Sequence, residues 1–165
     1  MAFDAFLQID GIPGESTDDQ HKDWIEIKDY EHCVAQPISG SRSSGGGISG
    51  ERVNHSAFRI TKELDKASPK LALYCCNGSH ISSVKMELCR AGGDKQKYME
   101  VLMENVLVSK HAPQGRAGDE SPLPIEQVDF VYEKITWTYT ETDGKTGKAK
   151  GNVEAHWDCE NNTGG

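Results

Sequence analysis

The 165-residue sequence predicts a mainly β domain carrying a single α-helix. Three observations lead there. Apolar and polar residues alternate over many short segments, the 17 glycines gather where the chain must turn, and helical start and stop signals coincide at one place, Ser68–Gly78. There Ser68 is placed to cap, Pro69 suits the first helical position because its missing N–H would be orphaned anyway, and Gly78 can close the far end in a left-handed conformation. Leu71-Ala72-Leu73-Tyr74-Cys75-Cys76 lacks a β-branched residue, which favours helix, and nearly every face of it asks for burial. A helix over Pro69–Asn77 would be only about 13 Å long and unstable alone, so it must pack on a sheet.

In chain order, Phe3, Ala5, Leu7 and Ile9 alternate with polar residues and predict an opening strand, broken in pattern only by Phe6. Turn residues 11–16 and a polar loop over Thr17–Asp23 lead to a strand over Trp24–Val34, with Ile25 and Ile27 on one face and a mixed face of Trp24, Glu26, Lys28 and Tyr30. Pro37–Arg52 is rich in glycine and serine and predicts a long mobile loop whose sizeable apolar residue is Ile48. Val53–Thr61 resumes β character. Val84, Met86 and Leu88 then predict a strand that turns at Ala91-Gly92-Gly93-Asp94 into Lys97–Ser109.

That returning strand carries Met99, Val101 and Met103 on one parity and Tyr98, Leu102, Val106 and Val108 on the other, which predicts cover on both sides, from a barrel or a partner subunit. His111–Pro124 reads as a loop. Along Val128–Tyr139 the apolar parity changes near Glu133-Lys134, as a bulge or a strand passing between surfaces requires. Asp143–Gly147 turns the chain into a last strand with Val153, Ala155 and Trp157. Residues 1–160 read as one domain and 161–165 as a flexible tail.

Acidic residues outnumber basic ones by 26 to 18, for a net charge of −8, and no basic stripe is present, which argues against nucleic-acid binding. No run approaches the roughly 20 apolar residues of a membrane span, and the start lacks a secretory signal pattern. Five cysteines without C-x-x-C spacing predict buried free thiols rather than disulfides or zinc. The six histidines show no ligand spacing, Gly144-Lys145-Thr146 lacks the rest of a P-loop, and no nucleophile elbow is complete. No catalytic residue, metal or cofactor is expected. Two-sided apolar strands ask for neighbouring copies, and head-to-tail contacts between identical subunits close into rings when the rotation allows. The same faces also permit a monomeric small-ligand-binding β-barrel.

Along almost its whole length the sequence resembles the haemolysin-coregulated protein (Hcp) family of the bacterial type VI secretion system. The resemblance lies in Ala2–Ile9, Gly14-Glu15-Ser16, Gly45–Gly47, Ile60-Thr61-Lys62 with Leu64–Leu71, and Ala91-Gly92-Gly93 leading to Val106–Ser109. It implies a β-barrel of two antiparallel sheets with one flanking helix at about 69–77, and no catalysis. It also implies homohexameric rings stacked into a tube inside a contractile sheath, tipped by a spike protein, with small effector proteins in the lumen. Such a subunit would start in the bacterial cytoplasm and be expelled into the medium or a target cell without a signal peptide or membrane insertion. On this reading Trp24–Val34 contributes to the lumen wall, with Glu31 and Cys33 facing cargo. The loop bearing Gly45, Gly46, Gly47 and Ile48 would touch a neighbouring subunit or ring.

Overall fold

The computed structural model describes residues 2–40, 47–118, 120 and 122–165. The opening alternation forms β1 (Phe3–Ile9), and the expected strand over Trp24–Val34 is divided into β2 (Ile25–Ile27), β3 (Asp29–Glu31) and β4 (Val34–Ala35). A ribbon of β5 (Ile38–Ser39), β6 (Ser49–Gly50) and β7 (Asn54–His55) precedes β8 (Phe58–Glu63) and α1 (Ser68–Asn77). The second half is β9 (Ile81–Arg90), β10 (Lys97–Gln114), β11 (Ile125–Thr142), β12 (Ala149–Asp158) and β13 (Thr163–Gly164).

The fold is mainly β with one flanking helix, as the sequence predicts, and every strand pairing is antiparallel. One nine-stranded sheet does most of the work. Its main path runs β13-β12-β11-β10-β9-β1-β2, with β8 on the remaining edge of β11 and β3 beyond β8. Lys28 separates β2 from β3, and its N–H donates to Thr61 O at 2.7 Å. The sheet therefore curls until its ends meet through chain continuity at Lys28, and its ladder is not a closed barrel. Leu7, Ile25, Phe58, Ile60, Met86, Met103, Phe130 and Ile135 fill the interior. Burying each such side chain contributes about 1.5–3 kcal/mol.

A crease crosses three strands of the sheet. Ile81, Val106 and Tyr132 lie in one cross-strand row, and Val84, Met103 and Ile135 in the next inward row, three residues away on every strand. A regular pleat returns to the same face after two residues, so each strand changes inward parity between these rows. On β10 the change falls at Asn105, whose φ of +50° is a left-handed conformation that asparagine tolerates. Val101, Met103, Val106 and Val108 consequently all enter one core. The two-sided cover expected for this strand is thus a parity change within one core. On β11 the same crease is the expected switch near Glu133-Lys134, where its second edge leaves β8 at Phe130 and takes up β12 from Lys134.

Helix α1 ends as predicted, with Gly78 at φ +65° and its N–H donating to Tyr74 O at 3.0 Å. Its start differs. Ala67 occupies the cap position without a side-chain cap bond, and the Ser68 hydroxyl donates to Glu126 Oε1 at 2.8 Å. One face of the helix packs against β10 through Leu71, while Leu73 is 55% exposed, so burial is one-sided rather than all round. Two other loop assignments also change. β10 reaches Gln114, because its pairing with β11 continues to Ile125, and the expected tail turns back as β13, with His156 N–H donating to Gly165 O at 2.9 Å.

Beside Ser68 lies a buried ion pair. Lys62 and Glu126 are cross-strand partners on the inward face of β8 and β11, fully buried, with Nζ 2.5 Å from Oε1. Lys62 also donates to Glu63 O and Asp65 Oδ1, at 2.8 and 2.9 Å. Burial alone would raise the Glu126 pKa, but hydrogen bonds from Lys62, Ser68 and His111 outweigh it and hold the carboxylate below its ordinary value. Glu126→Leu leaves the buried Lys62 ammonium with Asp65 as its one remaining counter-charge and should cost up to about 5 kcal/mol in urea denaturation, whereas the double change with Lys62→Met should recover most of it. Acid acts the same way. The stabilisation from Glu126 is complete above the ordinary carboxyl value of 4.5 and is lost as pH falls through its lowered folded value.

Candidate functional site

The outward face of β3, β8, β11 and β10 carries a ladder of alternating charge. Glu31 pairs across to Arg59, Arg59 to Asp129, and Asp129 to Lys110. Arg59 grips Asp129 with Nε at 2.7 Å and Nη2 at 3.0 Å, and the Asp129 carboxylate, with Glu31 adding less, raises the Arg59 pKa. A two-toothed contact of this kind fixes orientation as well as charge. Glu31 is exposed at the end of this ladder, and Cys33 is exposed two residues on, its N–H donating to Ser56 Oγ at 2.8 Å. The structure thus groups Glu31 with Arg59, Asp129 and Lys110, which sequence reasoning passed over. The polar parity of Arg59, Thr61 and Glu63 was the available signal.

Among the described residues, the flanks of the glycine-rich segment pair into short ribbons that form an arm. β4 pairs with β7 and β5 with β6, and Glu51 N–H donates to Pro37 O at 2.9 Å between the two ribbons. Of the proposed contact residues, Gly45 and Gly46 lie outside the described residues. Gly47 and Ile48 lie just before β6, and Ile38 and Ile48 are 68% and 57% exposed. A second projection is the β11–β12 hairpin. Its Tyr139 and Val153 are cross-strand partners, 47% and 69% exposed, continuing outward a row that begins with Leu88 and Met99.

Both projections share a root. Tyr132 Oη lies 2.8 Å from His32 Nε2 and 2.6 Å from His55 Nδ1, with the His32 ring packed on Phe58. One hydroxyl can donate to one ring and accept from the other when both imidazoles are neutral. Burial lowers the pKa of both histidines, aided at His32 by the charge of His55, and burial raises that of Tyr132. Next to them Arg52, Val53, His55, Tyr132, Trp157, Cys159 and Asn162 line a cavity of about 230 Å³. Arg52 Nη2 donates to Cys159 O at 3.3 Å, which ties the arm to the end of β12.

The expected polar loop before β2 is partly interior. Ser16, Asp18 and His21 are buried, and Gly14 is required because a Cβ there would sit 2.3 Å from Trp24 O. His21 Nδ1 lies 2.9 Å from Asp18 Oδ1 and Nε2 lies 2.7 Å from Glu87 Oε2 on β9, with the ring stacked on Phe6. Hydrogen bonds from Lys95 and then His21 hold the Asp18 carboxyl well below the usual range. Cys89 Sγ is 4.0 Å from His21 Nε2, and burial pushes its thiol up to about 11. Cys89 alone among the cysteines is buried. Cys33 and Cys76 are exposed and Cys75 and Cys159 half-buried, which corrects the expectation of buried thiols.

With this geometry, residues 6–139 match the protein family described as "Type VI secretion system effector, Hcp". The chain belongs to the Hcp family of type VI secretion system proteins. It is 30% identical to the hcp1 protein of Pseudomonas aeruginosa over 163 residues, covering 98% of each chain. It is also 30% identical to the "Major exported protein" of that organism over 81% of this chain and 78% of the other. Among solved structures, a type six secretion system protein superposes with a TM-score of 0.93 at 33% identity, over 99% of this chain and 100% of that one. Hcp1 of Salmonella typhimurium gives 0.81 at 28%, over 99% of each chain.

The histidine root should respond to acid. Above the ordinary histidine value of 6.5 both rings are neutral folded or unfolded; below it the unfolded chain takes up protons first, because folding lowers both values. Stability should therefore fall between pH 6.5 and the lowered folded values, read as a lower melting temperature at pH 5 than at pH 7.5. Double replacement of His32 and His55 by glutamine should flatten that fall.

Proposed function

We propose that the chain is a structural tube subunit: six copies close into a ring with an open lumen, and rings stack into a tube that is itself secreted. Family membership across 6–139, with relatives matched over nearly the full chain, carries this reading. The exposed apolar residues on two projections support it, since Tyr139, Val153, Ile38 and Ile48 leave apolar surface that neighbouring copies would cover. The tube would assemble within a contractile sheath, carry a spike protein at its tip, and hold small effector proteins in its lumen, with no catalytic step. Export of the "Major exported protein" relative supports a cytoplasmic start followed by secretion. No described helix is long and apolar enough to cross a membrane.

Glu31 and Cys33 belong on the lumen side in this reading, because a wall of alternating charges stays hydrated and does not glue cargo in place. The arm reaches a neighbouring subunit or ring, where ordering a glycine-rich sequence carries an entropic cost. The alternative of a monomeric ligand-binding barrel has less support, since the interior is filled by side chains such as Leu7, Phe58, Met86 and Phe130.

Native mass spectrometry should give a species of six 18.1-kDa chains, and a folded monomer at micromolar concentration would overturn the ring. Glu31→Arg should leave that mass unchanged while altering effector retention in co-purification; unchanged retention across several effectors would remove Glu31 from the lumen wall. Deleting residues 40–48 should abolish tubes in negative-stain images while leaving the melting temperature within a few degrees. Intact tubes would argue that the arm does not bridge rings.

A further inference from the structure

We propose that His21, Glu87 and Cys89 form a binding site for one divalent ion of the zinc class. The three come from separate parts of the chain, a loop and two positions of β9, yet His21 Nε2, a Glu87 carboxylate oxygen and Cys89 Sγ all lie within 4.8 Å of one another. Imidazole, carboxylate and thiolate are the donors that zinc takes, and three of them with one open position is a common arrangement.

The shape of the corner suits the ion. Around a tetrahedral zinc, nitrogen–oxygen and nitrogen–sulfur edges are about 3.3 and 3.5 Å. The present separations are 2.7 Å for Nε2 to Oε2 and 4.0 Å for Nε2 to Sγ, so these two edges need to move by roughly half an ångström, and the carboxylate–Sγ edge, now within 4.8 Å, closes toward about 3.5 Å as the Glu87 side chain turns. His21 is already oriented as a ligating histidine is, with Nδ1 bound to the Asp18 carboxylate and the ring stacked on Phe6 and edge-on to Trp24. That outer hydrogen bond leaves Nε2 aimed at the ion. Cys89 and His21 are almost fully buried, and Phe6 and Asp18, which hold the His21 ring, also line a cavity of about 410 Å³.

The exchange balances in charge. The hydrogen bond joining Nε2 to Glu87 Oε2 at 2.7 Å requires one proton, and the thiol form of Cys89 holds a second. A divalent ion replaces both, forming bonds to nitrogen, oxygen and sulfur, and the two protons pass to solvent. The corner keeps the net charge it had, with Lys95 on Asp18 and Lys97 3.5 Å from Glu87 undisturbed. The ion would fasten the loop before β2 to β9.

The test uses the reduced, chelator-stripped full chain titrated with cobalt(II) and then zinc(II). One cobalt per chain should bind with a thiolate-to-cobalt charge-transfer absorption, zinc should displace it, and zinc should raise the melting temperature. Cys89→Ala should abolish the absorption, Asp18→Asn should weaken cobalt binding roughly 10–100-fold, and Cys33→Ser with Cys76→Ser should change neither. Absence of one-to-one binding overturns the site, as does an absorption that survives Cys89→Ala or vanishes with Cys33 and Cys76. X-ray absorption of the zinc-loaded wild-type chain decides independently of how the variants fold. One sulfur among nitrogen and oxygen neighbours supports the site, and no sulfur or several overturns it.

Discussion

The structure depends on one strand serving three partners. β11 keeps β10 along one edge for nearly its whole length, while its other edge is given first to β8 and then to β12. A strand can do this only if its inward face changes between the two halves, since the alternation of side chains is otherwise fixed by the pleat. The crease through Ile81–Val84, Asn105 and Tyr132–Ile135 supplies that change on β9, β10 and β11 together. On one side of it the sheet curls over the core. On the β12 side it runs out as a hairpin whose Tyr139 and Val153 are 47% and 69% exposed.

Charge pins the register of that shared strand on both faces. Lys62 and Glu126 meet inside the sheet, while Arg59 and Asp129 meet on its outer face a few residues along the same ladder. A slip of one residue between β8 and β11 would turn the first pair outward and draw the second toward the core, leaving charges without partners in a medium that penalises them heavily. Buried ion pairs often add little net stability against apolar replacements. Here their consequence is specificity: one alignment satisfies both pairs and its neighbours do not.

The surface divides along the same lines. The ladder of Glu31, Arg59, Asp129 and Lys110 gives one face alternating charge, whereas the arm and the β11–β12 hairpin carry exposed isoleucine, tyrosine and valine. These two kinds of surface differ in chemistry, the first charged and hydrated and the second apolar. The His32–His55–Tyr132 cluster stands where both projections leave the body, so protons taken up there act at the base of the arm and of the hairpin.

Local chemistry in the sequence was enough to determine the strands of β1, β9 and β10, the helix with its glycine stop, and the parity change on β11, because each is a matter of neighbours within a few residues. Family resemblance, legible in Gly14-Glu15-Ser16 and the segment from Ile60 to Leu71, reached further and carried the family assignment. Tertiary structure alone decided the rest. It showed that the mixed parity of β10 is a crease and not two buried faces, that Ser68 turns to Glu126 instead of capping, and that the glycine segment starts as a paired ribbon. It also brought His21 to Glu87 and Cys89 across more than sixty residues. Spacing along the chain has no bearing on such meetings, because antiparallel pairing and loop closure bring distant residues into contact only after the whole sheet has chosen its order.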